Sequence, residues 1–177
     1  MKRLILVVLA LVLVAPMAVS AQKRRTPTKS TTAQKNAAAA AAAKQAQEDV
    51  VTGRQRIAAQ VKTLTQFLYL LGGINKTIES ADRAAGRAAD PSGAAAKTQR
   101  SKDTVVDSIA NVRAGLAKLE SDFQANANLA KYAPLIDGIS LTAQAAEGQA
   151  ASGKFDDAGR TLLTVVNKLA DAQTGMP

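Results

Sequence analysis

A chain of 177 residues with no cysteine and no histidine excludes whole classes of chemistry before any motif is considered. Disulfides, thiol chemistry, c-type haem attachment, Ser-His-Asp and Cys-His nucleophilic sites and imidazole zinc sites all need residues it lacks. Its formal charge of +9 suggests an anionic partner only until that charge is divided along the chain.

Met1-Lys2-Arg3 is a cationic head, Leu4 to Val14 is an unbroken apolar run, and Val19-Ser20-Ala21 supplies small residues before Gln22. This is the layout of a secretory signal peptide over residues 1–21, with cleavage expected after Ala21. The expected location is therefore periplasmic or extracellular. A retained membrane anchor is the secondary reading, because Leu4 to Val19 is 16 residues, short of the ~20 that span a bilayer comfortably.

Removing the leader removes two charges. Lys23, Arg24, Arg25, Lys29 and Lys35 carry five more, and residues 36–177 hold 16 basic and 14 acidic groups. The excess is thus mostly a tail, a possible contact for an anionic membrane or cell-wall surface. Nucleic acid is disfavoured, because aromatics are few and the expected compartment is wrong. Residues 22–36 have nothing to bury and read as disordered. Ala37 to Ala43 is the best helix-forming residue repeated, but without a bulky stripe. Residues 22–51 are therefore read as a basic and Ala-rich linker that is in part helical, and residues 52–174 as the folded domain.

Thr52-Gly53-Arg54-Gln55 fits a helix-starting capping box. Behind it Ile57, Val61, Leu64, Leu68 and Leu71 are spaced 4, 3, 4 and 3, and Ile74, Ile78, Ala81 and Ala85 extend the stripe. The spacing predicts a first helix of about nine turns. Gly72-Gly73 inside it implies a kink or a close helix contact in preference to a hinge. Gly86 to Gly93 reads as a connection, with Asp90 and Pro91 suited to starting the next helix. Val105, Ile109, Val112, Leu116, Leu119 and Phe123 form a second stripe, of the period that a bundle or coiled-coil seam needs. Pro134 suits the first turn of a third helix striped by Tyr132, Ile136, Ile139, Ala143, Ala146 and Ala150. A fourth helix carries Phe155, Ala158, Leu162, Val165, Val166 and Leu169, with Asp156 and Asp157 favourably placed in its first turn. Gly175-Met176-Pro177 reads as a frayed end. The expected fold is all-α, a small antiparallel bundle of about four helices.

Gly153-Lys154-Phe155-Asp156-Asp157-Ala158 resembles the turn between the two helices of a tetratricopeptide repeat, and Ala146 matches a small position in that family's first helix. Thr142 and Gln149 stand where the family has large aromatics, Ala170 where a helix-ending proline is common, and no second copy is found. The resemblance covers residues 143–170 and implies helical-hairpin packing and a protein-binding surface.

No constellation for catalysis, cofactor or metal emerges. Glu48, Glu79, Glu120 and Glu147 share no repeated spacing and read as solvated helix faces. Asp103 and Asp107, one turn apart, flank an apolar stripe, and no glycine-rich phosphate loop is present. The expected function is non-enzymatic: an exported module that binds a protein partner or a second copy. The alternative is an envelope-surface binder using residues 23–35. The first helix is longer than its partners, so unspent apolar surface is expected towards its end.

Overall fold

The computed structural model describes residues 32–85 and 94–177. The leader, its cleavage position, Lys23, Arg24, Arg25, Lys29 and the Asp90-Pro91 start signal lie outside the described residues. The helices are α1 (Thr32–Ala85), α2 (Ala94–Ala125), a one-turn α3 (Ala133–Ile136) preceded by a 3-10 turn (Ala130–Tyr132), α4 (Ile139–Ala151) and α5 (Phe155–Gly175). Among the described residues there is no strand, and no helix is long and apolar enough to cross a membrane.

The four long helices form a ring in which α1 packs on α2 and α5, and α4 closes the ring between α2 and α5. Every neighbouring pair is antiparallel. Arg56 reaches Asp122 (3.0 Å) while Lys102 reaches Asp82 (2.9 Å) across α1 and α2. Asn75 meets Asp156, and Arg54 donates to the main-chain oxygen of Pro177 (3.0 Å), across α1 and α5. Such ion pairs, partly solvated, contribute little stability but fix the register.

The core is aliphatic. Val50, Ile57, Leu64, Leu71 and Ile78 come at intervals of seven and are all buried on one face of α1. From α2 come Val105, Ile109, Leu116, Leu119 and Phe123, and from α5 Phe155, Ala158, Leu162, Val165 and Leu169. α4 contributes Ile139 and then only alanines, Ala143, Ala146 and Ala150. Small side chains there let α2 and α5 approach α4 closely.

Four expectations need correction. The capping box at Thr52 is not a helix start: α1 is already helical from Thr32, and residues 37–51 extend it. Gly53 in fact sits against the core. A Cβ at this position would lie 3.0 Å from Leu129, 3.2 Å from Phe123 and 3.3 Å from Met176.

The α1 stripe runs through Asn75, which is buried, rather than Ile74, which is exposed. The seven-residue interval carries Leu68 to 75, and the hydropathy of Ile74 misleads. The third helix is broken: α3 ends at Ile136 and Gly138 turns left-handed, with φ of 78°. Glycine bears that conformation without the Cβ clash. Finally, Met176 is 3 % exposed and plugs the core beside Leu129 rather than fraying.

The α4–α5 turn does close as its sequence implies. Gly153 has φ of 76°, its N–H donates to Ala150 O (2.8 Å), and the Lys154 N–H donates to Gln149 O (2.9 Å). This pair of bonds is a Schellman stop. Neither a repeat nor a tetratricopeptide-like hairpin is indicated.

Candidate functional site: the outer face of α1

A bundle with a core on one side of each helix should leave polar groups on the other. α1 departs from this around Gly72 and Gly73. Tyr69 is 84 % exposed, Leu70 60 % and Ile74 37 %, and Leu163 on neighbouring α5 is 50 % exposed. These groups border two adjoining hollows. One, of about 690 Å³, lies over Tyr69, Leu70, Gly73 and Ile74. The other, of about 400 Å³, lies between Leu68, Gly72, Gly159 and Leu163. Leu68 and Gly72 line both, so the apolar surface is continuous.

Helical geometry explains the shape. Tyr69, Gly72, Gly73 and Lys76 recur at i, i+3, i+4 and i+7 and so share a face, opposite the buried Leu71 and Ile78. The two glycines leave that face without side chains, and a Cβ on either would meet nothing within 4 Å. Among the described residues, the close contact expected of this pair is therefore not present.

Ionisable groups nearby divide into engaged and free. Asp156 and Glu79 both accept hydrogen bonds from the buried Asn75 amide (2.8 and 3.1 Å), and Glu79 also pairs with Arg83 (3.3 Å). Lys62, Lys76 and Arg160 are exposed and have no acidic partner among the described residues.

A third hollow, of about 480 Å³, lies at the other end of the bundle between Val50, Val51, Asn128, Lys131, Tyr132 and Pro177. It is walled by a polar lock. Asp49 accepts from Asn128 (2.7 Å), Asn126 (3.2 Å) and Gln45 (3.0 Å). These bonds hold its carboxyl below the ordinary value, the Asn128 bond most, and burial opposes them weakly.

Of the residues singled out from sequence, Lys35 lies exposed in the first turns of α1, far from either hollow. Asp103 is exposed and accepts from Gln99 (2.8 Å). Among the described residues no three acidic groups are placed to hold a metal. Two glutamates are not solvated faces. The Glu120 carboxylate accepts from the Ser140 N–H (3.3 Å) and its hydroxyl, satisfying the first turn of α4 from a neighbouring helix. Glu147 meets Arg113 at 2.7 Å, with both contacting atoms shielded from water.

The Tyr69–Ile74 face escaped the sequence reading. Its signal was there: Phe67 to Ile74 is apolar or glycine throughout, more than one buried stripe can absorb. No family model matches the chain, and neither a curated protein nor a solved structure matches it.

Proposed function

We propose that this chain is an exported, non-enzymatic helical module of the cell envelope that binds another protein through the outer face of α1. The observation that carries the reading is the continuous apolar surface from Leu163 across Gly72 to Leu70, Tyr69 and Ile74. Exposed apolar residues scattered singly need no explanation, but a contiguous patch of bulky apolar side chains marks an interaction site. Export rests on the signal-like order of residues 1–21.

A photo-crosslinking residue at position 69, irradiated in the native envelope, tests both parts. The expected result is a discrete protein adduct that is lost when the crosslinker is moved to exposed position 118, together with an amino terminus at Gln22. An adduct ladder identical at both positions refutes the module, and an amino terminus at Met1 refutes cleavage.

A second reading is favoured by one feature: Lys35 lies on a stretch of α1 whose described side chains stay exposed as far as Gln45. On this reading residues 23–35 hold an anionic lipid or polymer while the helix spaces the bundle from it. Binding to anionic vesicles that survives deletion of residues 22–35 rules it out.

A further inference from the structure

We infer that the partner seated on the outer face of α1 is an amphipathic helix whose apolar ridge is bordered by carboxylates; this rests on the interaction-module reading above. Three observations converge. First, a glycine in a helix interior costs roughly 1 kcal/mol relative to alanine, and among the described residues nothing requires Gly72 or Gly73. Neither has positive φ, and neither has a neighbour that a Cβ would meet. What the pair does provide is a shallow notch, which lets a second helix axis approach to the near end of the usual 8–10 Å range.

Second, the notch is flanked by the apolar groups a helix ridge needs, Tyr69 and Leu70 among them. Third, the border is basic on balance. Lys62, Lys76 and Arg160 are unpaired among the described residues, whereas the nearby acids Glu79 and Asp156 are already bonded to Asn75. An approaching acidic helix gains three cationic partners and faces one carboxylate that no cation pairs among the described residues, Asp156.

A second copy fits poorly. An antiparallel pairing through Gly72 and Gly73 sets Lys62 of one protomer opposite Arg83 of the other. A lipid surface accounts for the tyrosine and the lysines but not for the notch.

The probes are two 18-residue peptides with leucines at alternating 3 and 4 spacing, one bordered by glutamates and one by lysines, titrated into the purified full chain. The glutamate peptide binds and the lysine peptide binds about tenfold more weakly, as three exposed ion pairs predict. The triple change Lys62→Glu, Lys76→Glu and Arg160→Glu reverses that order. Gly73→Leu abolishes binding of the glutamate peptide without lowering the melting temperature.

Equal binding of the two peptides, or binding of neither, overturns the inference. So does preferential binding to vesicles of three parts phosphatidylcholine to one of phosphatidylglycerol, or dimerisation that Leu70→Ser removes. In each case the adduct at position 69 still decides the module reading independently.

Discussion

The glycine pair makes the sharpest stability prediction. Changing Gly72 and Gly73 together to alanine places two methyl groups where, apart from the adjoining residues and backbone of α1 itself, no described atom lies within 4 Å, so no packing is disturbed. Each change removes the conformational freedom of glycine from the unfolded chain and restores helix propensity, about 1 kcal/mol per site. The pair should therefore stabilise the fold by about 2 kcal/mol, and at roughly 2–4 °C per kcal/mol for a domain of this size the melting point should rise by about 4–8 °C. Urea unfolding followed by circular dichroism measures it.

Gly53 supplies the contrast. The same gain in propensity is opposed there by the tips of Leu129, Phe123 and Met176, 3.0 to 3.3 Å from the new carbon. Gly53→Val overpacks that end and should cost about 1–3 kcal/mol. If the Gly72→Ala, Gly73→Ala double variant unfolds at lower urea than the wild type, the glycines serve the backbone of α1 and the notch argument fails.

Three further outcomes follow from the geometry. Leu162, fully buried, should cost about 2–5 kcal/mol on truncation to alanine, read from the shift in the urea midpoint; a cost below 1 kcal/mol would contradict a packed ring. Asp49 titrates below 3.8 when folded, chiefly through its bond from Asn128. Its contribution is therefore complete above that value and is lost as pH falls through the folded pKa, because the unfolded chain takes up the proton first. Stability measured from pH 6 downward should lose this component in Asp49→Asn, and an unchanged acid limb would show that the lock does not form. Glu120→Ala strips the first turn of α4 of its carboxylate and should cost on the order of 1 kcal/mol. Faster hydrogen exchange at the amides of Ser140 and Leu141 reports it, and unaltered exchange would refute the capping role.

Legibility in the sequence followed bulk. The stripe on α2 could be read almost residue by residue, because Val105 through Phe123 alternates four and three without interruption, and only Val112 is less than fully buried. α1 was legible where it is bulky and misread at both margins. Its first eighteen residues form a helix without any bulky apolar stripe to announce it. Beyond Gly73 the hydrophobic Ile74 outbid the buried Asn75, whose place is justified only by two acceptors, one of them on a distant helix.

The break at Asp137-Gly138 was hidden because apolar residues continue on both sides of it. Surplus apolar surface on the long helix was foreseen but located at its end. The patch sits instead where the run from Phe67 to Ile74 exceeds what one stripe can bury. Glu120 and Asp49 do tertiary work that no local spacing encodes, since their partners lie 20 to 79 residues away except for Gln45.

The solvent-exposed beginning of α1 behaves as a rod rather than a string. Eighteen residues of flexible chain and eighteen of helix have similar mean spans, roughly 23 Å and 27 Å. Their distributions differ: the string samples a broad range of spans on either side of its mean, whereas the rod holds its ends at one separation. A helix also carries phase. Removing a single residue from this stretch shortens it by about 1.5 Å and turns everything beyond by about 100°. Whatever is fixed at the first turn of α1 therefore dictates the compass bearing of Tyr69 as well as its distance, and deletions of seven residues should be tolerated where deletions of two are not.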